Sequence, residues 1–221
     1  MTRLSILFLL AALSPAAAQD QPVPNLTTAG RDAPGGVARM FAAHQLYALG
    51  LANKDPLTVL NAARLAASVT LTDTARPHET AGTPSKTGAA KPTSPAEMFA
   101  TATTLAAEND ALLDLIDASR REAPFIPLTT VVSSKSSFAG EETDVWPVPF
   151  YGAALAEVAI LGNGTSNLDL KISDENGNPV CQDVGPADTA YCSFYPAQNG
   201  SFLITVSNAG PAANGYLLLT N

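Results

Sequence analysis

The chain has 221 residues, 46% of them hydrophobic and 14% charged, which is enough for one large domain or two small ones. Twelve Lys and Arg against 20 Asp and Glu leave a formal charge of −8, and no basic run works against it. An acidic surface of that size favours solubility and disfavours nucleic acid, whose phosphates it would repel, and no nucleic-acid partner is expected.

Residues 1–18 read as an export signal. Arg3 supplies the positive start, Leu4 to Leu13 an apolar stretch too short to span a bilayer, and Ala16-Ala17-Ala18 a small-residue cleavage site before Gln19. The expected location is therefore periplasmic or secreted, with no membrane span left after cleavage. Residues 19–36, with Pro22, Pro24, Pro34, Gly30, Gly35 and Gly36, carry little to bury and read as a flexible tether.

Residues 37–123 read as helical. Val37, Met40, Phe41, His44, Tyr47 and Leu51 recur at three- or four-residue steps, which places them on one helix face. Asp55-Pro56 opens a second helix, expected over Leu57 to Leu71, with Asp as its cap. Within this region residues 73–94 hold several prolines and almost no large apolar side chain, so a disordered linker is expected there. Ser94-Pro95-Ala96-Glu97 then forms a capping box, and Asp110 is expected to cap the half that runs to about Arg121. Met40-Phe41-Ala42 and Met98-Phe99-Ala100 open the two pairs alike, which resembles helix-hairpin repeats. A plain bundle of Ala-rich helices is the reading favoured over a repeat, because two copies support a repeat weakly.

Residues 124–221 alternate apolar and polar side chains between Gly, Asn, Asp and Pro turns. Leu168, Leu170 and Ile172 point one way, Asp169 and Lys171 the other. Pro147 and Pro149 demote the run Thr143 to Tyr151 to an edge strand or an extended passage. The fold class is thus α+β: Ala-rich helical hairpins followed by an antiparallel β-sandwich. Cys181 and Cys192 are the only cysteines. In an exported chain they are expected to pair across adjacent strands as a structural disulfide.

Gly162-Asn163-Gly164-Thr165-Ser166-Asn167-Leu168-Asp169-Leu170, Asp174-Glu175-Asn176-Gly177, Tyr191-Cys192 and the closing Tyr216 to Asn221 together resemble the bacterial pre-peptidase C-terminal domain. The resemblance covers roughly residues 128–221. It implies a jelly-roll-like sandwich in an exported protein, calcium binding in some relatives, and attachment to polymers such as collagen or polysaccharide in others.

For catalysis the chain offers two histidines, His44 in an apolar stripe and His78 in the Pro-rich segment, and no H-E-x-x-H, G-x-S-x-G or P-loop pattern. No enzyme and no obligate cofactor is expected. Calcium, if bound, would take oxygen ligands from Asp169, Asp174, Asn176 and Asp183. Trp146, Tyr151 and Tyr191 are the candidate surface contacts. The expected function is a non-catalytic binding module for an envelope or extracellular polysaccharide or protein; the alternatives are assembly through the helical segment and service as an accessory domain to a secreted hydrolase.

Overall fold

The computed structural model describes residues 22–28, 30, 32–82, 91–122 and 129–221. The export signal and residues 83–90 of the expected linker lie outside these.

Two helices open the fold. Helix α1 (Gly36–Asn53) buries Val37, Met40 and Ala43, and ends at Lys54 with a left-handed backbone (φ 52°). Helix α2 (Pro56–Ala67) starts where Asp55 accepts a 3.0 Å bond from Leu57 N, with proline in the first turn. Their close approach needs Gly50, where a Cβ would stand 2.6 Å from Val59 Cγ2 and 2.9 Å from Val59 N. Helix α3 (Pro95–Ala106) carries the Ser94/Glu97 capping box. Helix α4 (Asp110–Glu122) differs slightly from expectation. Its first turn is held by Asn109, whose Oδ1 accepts from Leu112 N, while Asp110 is already helical.

The second helix stops four residues short of its expected end. Val69-Thr70-Leu71-Thr72-Asp73 is β-branched and alternating, and forms strand β1 (Val69–Asp73), parallel to β3 (Thr129–Phe138). Strand β2 (Glu79–Ala81) then pairs with β4 (Thr143–Phe150). Residues 73–82 are therefore a docked strap, which corrects the disordered-linker reading for that part. Burial of large apolar groups does not order it. Main-chain pairing does, with polar anchors from Arg76 to Thr220, Thr80 to Asp144 and Ser134 to Thr74 O.

The remaining strands are β5 (Ala156–Leu161), β6 (Leu168–Ser173), β7 (Pro179–Asp183), β8 (Thr189–Phe194), β9 (Gly200–Asn208) and β10 (Asn214–Thr220). Sheet A has the order β1-β3-β10-β5-β8 and sheet B the order β2-β4-β9-β6-β7. Strand β4 is interior, contrary to the edge expected from its prolines. Its register with β2 ends at Val145, so Pro147 and Pro149 fall where β2 no longer runs alongside.

Trp146, Leu170, Phe202, Ile204, Tyr216 and Leu218 fill the space between the sheets. The helices pack on the opposite face of sheet A, against Val131, Ala159, Leu161 and Leu219. Strand β5 lies between both cores, and all six of its residues are buried. The molecule is thus layered helix, sheet A, sheet B, an α+β arrangement with an antiparallel-dominated sandwich.

The described part of the tether, residues 22–28, 30 and 32–36, is docked too, a correction for that part. Leu26 packs against the inter-sheet core, Thr27 N donates to Tyr195 O, Asp32 N to the Tyr195 hydroxyl, and Gly35 N to Glu157. Sequence composition hides this, because the segment contributes backbone donors and one leucine rather than an apolar pattern. No helix among the described residues is long and apolar enough to cross a membrane.

Candidate functional site

Helices occupy the outer face of sheet A, and the outer face of sheet B is where the sandwich meets its surroundings. Alternation on β6 sends Leu168, Leu170 and Ile172 inward and Asp169 and Lys171 outward. Register sets Lys171 beside Gln182 of β7 on one side and Thr205 of β9 on the other. With Ser173, Gly177, Pro179 and Val180 these residues line an open groove of about 370 Å³. Such a volume lies within the ~300–1,000 Å³ of small-ligand sites. The side chains of Ser173, Gln182 and Thr205 form no hydrogen bond with any described residue, so their donors and acceptors face outward uncommitted.

A second polar cluster lies inside. Asp144 is fully buried and accepts from Thr80 Oγ1 at 2.6 Å, Ser136 Oγ at 2.7 Å and the Tyr216 hydroxyl at 2.6 Å. Trp146 Nε1 donates to the Tyr216 oxygen at 2.8 Å, and burial followed by the Asp144 charge pushes the Tyr216 hydroxyl well above its ordinary range. His78 stacks on Trp146 with ring centres 3.9 Å apart. Its Nε2 lies 3.3 Å from Ser136 Oγ and 3.8 Å from Asp144 Oδ2.

Ser, His and Asp are all present here, yet the wiring is not that of a nucleophile. In a working triad the imidazole bonds the serine through one nitrogen and the carboxylate through the other. Here Ser136 and Asp144 both face Nε2, and the serine proton goes to the carboxylate. The cluster ties the two sheets together instead. Sequence reasoning missed it because His78 and Thr80 sit in the segment read as a linker.

The expected site residues fall as follows. Cys181 and Cys192 are bonded, with Cα atoms 6.0 Å apart. They sit on β7 and β8, the last strands of opposite sheets, so the bridge crosses between sheets rather than between paired neighbours. Trp146 is 1% exposed, because it points into the inter-sheet core, with His78 of the strap stacked on it; its assignment as a surface contact is corrected. Tyr191 is half-buried between layers, stacked on Phe41 at 5.4 Å and donating to Glu157 Oε1 at 2.8 Å. Burial, then that carboxylate, pushes its hydroxyl up to about 12. It is a helix–sheet contact, not a surface one. Tyr151 alone of the three is open, at 79%.

The four calcium candidates do not converge. Asp174 sits at the tip of the β6–β7 hairpin and accepts 2.9 Å bonds from the backbone nitrogens of Asn25, Asn176 and Asn178 and from Asn178 Nδ2. Burial works against its charge, but these donors outweigh it and hold the carboxyl below its usual range. Asn176 contributes only backbone to this arrangement. Asp183 pairs with Leu170, at the other end of the hairpin, three residues or roughly 10 Å along the strand from Ser173. It accepts from Tyr191 N at 3.0 Å. Asp169 lies on the outer face opposite Ser207. Among the described residues no three His, Cys, Asp or Glu side chains gather as a metal site.

No family model and no curated protein matches the chain. Solved structures are similar over part of it, and three of them illustrate the likeness. The pre-peptidase C-terminal domain of a Bacillus anthracis collagenase shares 18% identity over 40% of this chain and 87% of its own, with a TM-score of 0.33. A periplasmic inhibitor of g-type lysozyme from Aeromonas hydrophila shares 16% over 41% and 84%, at 0.31. The C-terminal carbohydrate-binding module of a Zobellia galactanivorans laminarinase shares 10% over 38% and 75%, at 0.27. At these values the likeness says nothing of ligand or activity. The β-sandwich stands on the observed strand pairing, and a tie to the pre-peptidase C-terminal family rests on the sequence resemblance.

Proposed function

We propose that the protein is an exported, non-catalytic binding module that holds a hydroxyl-rich envelope or extracellular polymer on the outer face of sheet B. The observation that carries this reading is the groove over β6, β7 and β9. Its Ser173, Gln182 and Thr205 side chains are uncommitted, while the buried polar side chains around Asp144 are bonded within the fold. Hydroxyl and amide groups both donate and accept, which suits a ligand made of hydroxyls. The wiring of His78, Ser136 and Asp144 supports a non-catalytic role.

Affinity electrophoresis of the mature chain through gels containing soluble polysaccharides tests the reading. Retardation by at least one polymer is expected, and Thr205→Trp, which fills the groove, should abolish it. Unchanged retardation in that variant would move the site elsewhere; mobility unaffected by every polymer would end the proposal. Isolation from the producing cells should give an N-terminus at Gln19.

A second reading, assembly through the helical layer, is favoured by one feature. Leu49, Leu51 and Leu57 are 54%, 42% and 45% exposed around the α1–α2 turn. Sedimentation that rises with concentration, and returns to the monomer value in Leu49→Ser/Leu57→Ser, would support it.

A further inference from the structure

The groove contains one charge, and its sign is opposite to that of the protein. Between residues 129 and 221 the sequence has two cations, Lys135 and Lys171, against nine carboxylates. Lys135 is paired with Asp73. Lys171 has no ion pair among the described residues, and β6 holds it on the outer face between Gln182 and Thr205. Cross-strand neighbours stand roughly 5 Å apart. The uncommitted amide of Gln182 and hydroxyl of Thr205 therefore rise from the strands on either side of Lys171 and line the same groove. Asp169, the nearest acid on the same strand face, lies two residues away in the row of Ser207 and outside the groove lining.

A surface ion pair would gain Lys171 little, so its charge is free to meet a ligand. Unpaired in the groove, Lys171 gives the site one positive charge to offer a ligand. Resting on the polymer-binding reading above, we propose that the groove takes an acidic polysaccharide, one whose sugar units carry carboxylates. Lys171 meets the carboxylate, and Gln182, Thr205 and Ser173 bond the hydroxyls beside it. The lining includes hydroxyls, an amide, Pro179 and Val180 but no aromatic ring, so charge and hydrogen bonds rather than ring stacking select the ligand.

Calorimetric titration with three probes tests this: a polygalacturonate oligomer, a neutral glucan oligomer of the same length, and poly-glutamate. The uronate oligomer is expected to bind, about tenfold more weakly in Lys171→Gln than in the parent, with most of the affinity kept in Lys171→Arg. Its affinity should fall as salt rises from 20 to 300 mM. Equal binding of neutral and acidic oligomers, unaffected by Lys171→Gln, overturns the acidic assignment and leaves the polymer reading intact. Binding of poly-glutamate as tightly as the uronate would mean recognition of charge alone and overturns the sugar assignment. No binding of either oligosaccharide, together with no retardation by any polymer, removes both readings. Lys171 is exposed, so both variants should fold, and an unchanged melting temperature checks this.

Discussion

Asp144 shows how one residue serves both layers of the sandwich. Removing a carboxylate from water is costly unless its oxygens are satisfied, and here three hydroxyls from β2, β3 and β10 satisfy them. Asn in its place would turn an NH2 toward groups that are themselves donors. Asp144→Asn is therefore expected to lower unfolding free energy by about 2–4 kcal/mol, measured by urea denaturation. His44 gives a different signal. Burial brings its imidazole down from 6.5 to about 4. The unfolded chain takes up this proton at higher pH than the folded one, so stability falls as pH drops from 6.5 toward 4. The loss is on the order of 3 kcal/mol. His44→Leu should flatten the urea midpoint over that window. Asp73 and Asp174, whose carboxyls are depressed by bonds made on folding, act lower. Their contribution is complete above the ordinary 3.8 and is lost as pH falls through their folded values.

At the scale of elements, the strap and the disulfide perform matching tasks. The chain from β1 to β2 crosses from sheet A to sheet B at one edge, and Cys181–Cys192 joins β7 to β8 at the other. Each closes an edge that would otherwise expose the inter-sheet core or offer unpaired strands. The strap can be followed directly, because Trp146 is the only tryptophan. His78→Ala removes the ring stacked over it, so the emission maximum should move to longer wavelength and external quenchers should gain access. An unshifted spectrum would mean that the strap is held by its backbone alone. The sequence offered a weak sign of this element in Val69-Thr70-Leu71-Thr72, whose alternation was absorbed into the preceding helix.

For the whole molecule, the helices and the sandwich depend on each other. Sheet A turns Ala159, Leu161 and Leu219 toward α1 and α2, and leaving each large aliphatic side chain in water costs about 1.5–3 kcal/mol. A fragment of residues 124–221 also lacks β1, β2 and the Leu26 plug. It is expected to aggregate or elute as oligomers in size exclusion, whereas the chain from Gln19 to Asn221 runs as a folded unit. A stable monomeric fragment would show that the helical layer is dispensable.

Local chemistry made several features readable from the sequence alone: the Asp55 and Ser94 caps, the period-two strands such as Leu168-Asp169-Leu170-Lys171, and the pairing of the only two cysteines. Each depends on neighbours a few residues away, or on there being a single possible partner. The groove, the Asp144 cluster and the burial of Trp146 each need at least one contact between residues more than thirty positions apart. Lys171 reads as an ordinary outward-facing residue until β7 and β9 are set beside it. His78 reads as linker until the strap crosses Trp146. Composition foretold order only where apolar burial supplies it. Residues 22–28, 30, 32–35 and 73–82 are held mainly by backbone pairing and isolated polar bonds, which leave no period in the sequence, so only the tertiary structure could assign them.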